Sequence, residues 1–184
     1  MAPTGRAAKV IREKTGQEAY TIHKSIYSYD DLVEMKEGDS FMYYYKIRNN
    51  NDVANKIFIV DESSMLSDVK TEGEFFRFGT GYLLTDLITY TRVAHEKVNS
   101  KIIFVGDTAQ LPPIGTPLSP ALSRDYLKNN FHMEVEEHEL TDVMRQEMHS
   151  GILYNATLLR NLLSDQSVEI KFITKAFKDI FKMS

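Results

Sequence analysis

Cysteine is missing from this chain of 184 residues. Its absence excludes disulfides and thiolate metal sites, and makes a cytoplasmic location the expectation. The histidines stand apart at His23, His95, His132, His138 and His149. Even the closest pair, His132 and His138, lacks helical ligand spacing, so the sequence points to no zinc site. Nowhere do apolar residues run to the roughly 18 that cross a bilayer. The N-terminus also lacks the apolar core of a secretory signal. No membrane partner is expected. Positive charge is not in excess: the net charge is −4. Any nucleic-acid affinity therefore needs a local basic stripe. Internal repeats and low-complexity segments are absent too. What remains, 42% hydrophobic and 26% charged, is ordinary for one soluble globular domain.

Two apolar runs end in acids. Ile57-Phe58-Ile59-Val60 runs into Asp61-Glu62. A short run rich in β-branched residues reads as a strand buried on both faces. Acids at its C-terminal end stand where open parallel sheets bind ligands. In phosphoryl-transfer ATPases the first such acid holds Mg²⁺, and the second orients and activates the attacking water. The second run, Lys101 to Val105, ends in Gly106-Asp107 and continues Thr108-Ala109-Gln110-Leu111-Pro112-Pro113. Gly106 lets the backbone turn off the sheet, and the prolines stiffen the loop. Asp107 and Gln110 are thus expected at the same sheet edge as Asp61 and Glu62. Asp107 reads either as a partner of metal-bound water or as a cap on the turn, and the Gln110 amide suits a phosphate sensor.

The remaining pattern predicts an α/β fold. Thr4 is a candidate N-cap for a helix ending at Gly16, and Thr21 for a second, short helix with Ile22 and Ile26 on one face. Residues 41–48 read as a strand and 68–81 as a polar, glycine-bearing loop. Helical spacing from Leu83 to Val98 precedes the second acid-ended strand, which implies a right-handed parallel crossover. A helix is expected over 120–131, a strand over 133–140, and an amphipathic helix through Ile152, Ala156, Leu159 and Leu163. The tail beyond Ile170 reads as a strand plus a helix. Tyr43-Tyr44-Tyr45 reads as half-buried sheet residues, with base stacking as the alternative.

In order along the chain, these segments resemble the motifs of superfamily 1 DNA helicases in the RecD-like branch, RecD being the α subunit of exodeoxyribonuclease V. Ala2-Pro3-Thr4-Gly5-Arg6-Ala7-Ala8-Lys9 resembles motif Ia, and Thr21-Ile22-His23 the segment that follows it. Val60-Asp61-Glu62-Ser63-Ser64-Met65 resembles motif II, the Walker B motif. Gly106 to Pro113 resembles motif III, and Leu140-Thr141-Asp142-Val143-Met144-Arg145-Gln146 motif IV.

The resemblance implies a RecA-like P-loop NTPase domain with a mainly parallel central sheet and flanking helices. It implies ATP and Mg²⁺ as cofactors, single-stranded DNA as partner, and translocation driven by hydrolysis. Asp61 would hold the metal, Glu62 would act on water, Gln110 would sense the γ-phosphate with Asp107 beside it, and Arg145 would reach the γ-phosphate. Thr4, Gly5, Arg6, Thr21 and His23 would meet the DNA. For the basic run Arg6, Lys9, Arg12 and Lys14 a solvated helix face is the competing reading, just as helix capping competes at Thr4 and an ordinary salt bridge at Arg145.

One departure stands out. The phosphate-cradling Gly-x-x-x-x-Gly-Lys-Ser/Thr is missing from the sequence. The expectation is an N-terminally truncated helicase piece: residues 1–165 a partial first RecA-like domain, and 166–184 an extension toward a second domain. Such a piece would be inactive by itself. A subunit of a helicase–nuclease complex, or a DNA-binding module without hydrolysis, is the alternative.

Overall fold

The computed structural model describes residues 1–37, 40–51, 55–71, 73, 75–95, 97–140, 150–164, 171–174 and 177–180. They fall into two compact units, Met1–Glu137 and His138–Ser184.

Short-range chemistry sets the first helices. Thr4 caps α1 (Gly5–Thr15), its Oγ1 accepting from the Ala7 N–H at 3.2 Å. Gly16, at φ 67°, closes it by donating to the Arg12 carbonyl; only a left-handed residue can make that turn cheaply. Thr21 repeats the cap for α2 (Ile22–Ile26), accepting from the Lys24 N–H at 3.1 Å. Ile22 and Ile26 share one face and are fully buried.

Two sheets follow. In the first, β1 (Tyr27–Glu37) pairs antiparallel with β2 (Ser40–Ile47), and β4 (Phe76–Phe78) pairs parallel to β2 on its other side. In the second, β3 (Ile57–Val60) pairs parallel with β5 (Lys101–Phe104). The first residues of the chain extend this second row. The Met1 nitrogen donates to the Ile59 carbonyl at 2.6 Å, and the Asp61 N–H donates to the Met1 carbonyl at 2.9 Å. That is the bonding pattern of a parallel ladder. Ala2 in turn bridges Thr21 in parallel. Residues 20–22, 1–2, β3 and β5 therefore run side by side in one direction.

This differs from the expected mainly parallel central sheet: the parallel row is short, and the longest strands form a mixed sheet. The cause is local. Tyr27 to Glu37 sets acids among apolar residues without alternation, so its strand is specified by pairing with β2 rather than by its own period. Within the expected loop 68–81, Phe76-Arg77-Phe78 alternates in register with Tyr43-Tyr44-Tyr45 and joins them as β4. Burial departs as well. The β3–β5 ladder is covered on one face, where Val60 is fully buried. On the other, Ile57, Ile59 and Ile103 are 63%, 56% and 46% exposed.

Helix α3 (Leu83–Thr91) stops short of Val98 because Arg92 turns left-handed at φ 55°. It presses Leu84, Leu87 and Ile88 into the core beside Ile22, Ile26 and Val60. The 120–131 segment splits into a 3-10 turn, Pro120–Leu122, and α4 (Arg124–Phe131), capped by Ser123. Residues 133–140 form no strand. In the second unit, α5 (Gly151–Ser164) is capped by Asp179, which accepts from the Ser150 hydroxyl and the Gly151 N–H at 2.7 and 2.9 Å. The described tail residues are irregular. No helix among the described residues is long and apolar enough to cross a membrane.

Candidate active site

The parallel register of β3 and β5 sets Val60 opposite Phe104, so both acid-bearing ends leave the same sheet edge. Just past the ladder the two chains interlock. Val105 N–H donates to the Val60 carbonyl at 2.8 Å, and Ser63 N–H donates to the Val105 carbonyl at 2.9 Å. Gly106 follows at the tightest point. A Cβ there would lie 2.9 Å from the Ser64 nitrogen, 3.2 Å from the Ser63 nitrogen and 2.9 Å from Leu122 Cδ1. Backbone thus fills the space a side chain would need.

Asp61 and Glu62 are half-buried. The Asp61 carboxylate accepts from the Glu62 N–H at 2.9 Å. Glu62 sits left-handed at φ 53°, a conformation that costs a non-glycine residue about 1 kcal/mol or more. It lets the chain swing from the strand into the 3-10 turn Ser63–Met65, whose Ser63 and Ser64 are buried. The Ser63 hydroxyl donates back to the Val60 carbonyl at 2.7 Å.

Across the edge, one Asp107 carboxylate oxygen accepts from the Ala109 N–H at 2.9 Å, and the Gln110 N–H donates to the Asp107 carbonyl at 3.0 Å. The turn-capping reading of Asp107 therefore has a bond behind it. Gln110 is exposed and lines a shallow open cleft with Met65, Ala109, Leu111 and Pro112. The loop after motif III returns to its starting point: the Ser119 hydroxyl donates to the Ser63 carbonyl at 3.3 Å. Neither this brace nor the buried Ser63–Ser64 turn carries a periodic signal in the sequence. The proline after Ser119 marks only a helical start.

The expected DNA residues lie on adjoining elements. The Ala2–Thr21 bridge sets the beginnings of α1 and α2 side by side. Thr4 and Thr21 both serve as caps, and Gly5 and Arg6 are exposed. His23 is half-buried, its ring edge-on to Phe78 at 5.1 Å and tilted on Tyr27 at 5.6 Å. Burial lowers its pKa, against the opposing pull of the Asp86 carboxylate. Arg145 lies outside the described residues.

Among the described residues no group of three or more His, Cys, Asp or Glu is arranged to hold a metal. Asp61, with Asp107 on the neighbouring strand end, instead suits Mg²⁺ bound by one or two carboxylates, water and nucleotide phosphates. The carboxylates fit such an ion. The chain's own sequence supplies no glycine-rich loop to cradle the phosphates.

Residues 1–116 match the family described as AAA domain. The chain belongs to this family. The AAA domain match takes in both acid-ended strands and the loop through Gly115, and stops short of Arg145 and α5. An uncharacterized protein of Methanocaldococcus jannaschii is 34% identical over 119 residues. That stretch covers 62% of this chain and 9% of the relative's length. No solved structure matches the chain. AAA domains are P-loop NTPases, a nucleotide-binding class with helicase-type members. The mixed α/β architecture agrees with that class.

Proposed function

We propose that this AAA domain is part of an ATP-dependent DNA helicase of superfamily 1, RecD-like in its motifs, that couples hydrolysis to movement along single-stranded DNA. The observation that carries the reading is the parallel register of β3 and β5. It delivers Asp61-Glu62 and Asp107-Gln110 to one edge. Bound ATP with Mg²⁺ would supply the transferable phosphoryl group. In this reading Asp61 orients the ion, and the Glu62 carboxylate accepts the proton of the attacking water. Gln110 and Arg145 answer to the γ-phosphate. Thr4, Gly5, Arg6, Thr21 and His23 meet the strand through phosphate oxygens, without reading bases. In this reading the phosphates are cradled by a loop that this sequence does not itself contain.

Two measurements test this. In the longer protein, Glu62→Gln should lower hydrolysis about a hundredfold or more while nucleotide binding persists; loss of binding would assign Glu62 a structural role. The present chain should show no steady-state ATPase, with or without single-stranded DNA, above an Asp61→Ala blank. Turnover that vanishes in the blank would mean that a loop of this chain holds the phosphates after all.

A further inference from the structure

The first sheet carries a continuous array of aromatic rings on one face. The β2–β4 register sets Tyr43 beside Phe76 and Tyr45 beside Phe78. Two of the ring pairs are near parallel, Tyr45–Phe78 at 5.0 Å and 20° and Tyr45–Phe76 at 6.5 Å and 18°, and Tyr43–Phe76 is tilted, at 5.9 Å and 31°. Tyr29 joins from β1, 5.3 Å from Tyr45. Tyr45 and Phe78 rest partly against the core, whereas Phe76 and Tyr29 are 50% and 48% exposed and Tyr43 is half-buried.

We infer that this face is a stacking platform for the bases of a single-stranded nucleic acid. The inference rests on the proposed DNA-translocating function and names where the bases lie. Two features favour this occupant over an apolar protein surface. First, the array is continuous with the expected DNA contacts, because His23 of the Thr-Ile-His segment packs edge-on against Phe78. Second, the platform is built of rings, several of them phenols, which suits flat amphipathic partners better than aliphatic ones. A strand would run its phosphates past α2 and lay bases on Phe78, Tyr45 and Tyr29, leaving Tyr43, whose hydroxyl donates to Glu34 at 3.2 Å, at the limit.

The test compares a thymidine oligonucleotide with an abasic strand of equal length and charge, by fluorescence anisotropy with the 184-residue chain. Both strands offer phosphates to Arg6 and the helix caps, but only one offers rings. The base-bearing strand should bind about tenfold or more tightly, the gain expected for one or two stacked bases. Tyr45→Ala with Phe76→Ala should bring it down to the abasic level and leave abasic binding unchanged, and Tyr45→Phe should restore it. Equal binding of the two strands, or a double variant that keeps the difference, would overturn the platform while leaving the translocation reading intact. Binding of neither strand would overturn both. A double variant that has lost its fold would be recognised by weakened abasic binding, and the single Phe76→Ala variant then takes its place.

Discussion

The Tyr27 hydroxyl donates to the Asp86 carboxylate at 2.6 Å, and neither residue reaches solvent. The pair ties the start of β1 to α3. Asp86 also accepts from the Thr80 hydroxyl at 2.7 Å and from the Thr80 N–H at 3.1 Å, which holds the turn after β4 against the same point. Burial raises the pKa of both Asp86 and Tyr27.

Tyr27→Phe removes one donor and little volume. It should cost roughly 1–3 kcal/mol, the range for leaving a buried acceptor short of a partner. The shift of the urea midpoint at unchanged slope would measure it. An unchanged midpoint would mean that Thr80 alone satisfies the carboxylate.

His23 gives a pH dependence with a definite sign. Its folded pKa lies below the ordinary histidine value because of burial. As pH falls through the histidine range, the unfolded chain takes up the proton first, so stability present at neutral pH is lost on acidification. The raised Asp86 value works in the opposite direction at lower pH, relaxing a burial penalty as the carboxyl protonates. Melting temperature against pH should therefore fall between about pH 7 and 5.5 in the native chain. The slope should flatten in His23→Gln.

Gly106→Ala places a methyl group against the Ser63 and Ser64 backbone. Overpacking of this kind should cost about 1–3 kcal/mol, read as a lowered thermal midpoint. Trimming Leu122 to Ala in the same chain should recover little, since two of the three clashing atoms are backbone nitrogens. Full recovery would show that Leu122 alone sets the space.

Asp179 holds the beginning of α5 through Ser150 and Gly151. These bonds lower its pKa to about 2. The cap's contribution should be complete above the ordinary carboxylate range and lost as pH falls toward that value. Asp179→Ala should speed amide exchange at Gly151 and Ile152, with exchange at Leu87 in α3 unchanged.

Residues that act on their near neighbours were legible in the sequence. Thr4, Gly16 and Thr21 announce helix ends because capping is a matter of a few residues. The two acid-ended apolar runs announce strand ends for the same reason. What depends on distant partners was not legible. The β1 strand exists because β2 lies beside it, and β4 because its phenylalanines fall in register with Tyr43 and Tyr45. One exposed face of β3–β5 contradicts the two-sided burial that its composition suggests, since composition cannot say which elements are at hand to cover it. At the site, the shared sheet edge of the two acid-bearing strand ends followed from two local strand patterns. The Ser119 brace and the left-handed Glu62 did not, because both are set by how the returning loop and the turn meet.

The pairing of Ile57 with Lys101 has a consequence for the order of events during folding. Everything from β4 to α3 lies between these strands in the chain, so their ladder closes a long loop that brings little return until it is complete. The β1–β2 hairpin and α1 have no such wait. The acids and the Gln110 loop should consequently come together late, after the hairpin is formed. A chain caught before that step would already hold Tyr29 beside Tyr45 on the hairpin while its two acid-bearing strand ends remained apart.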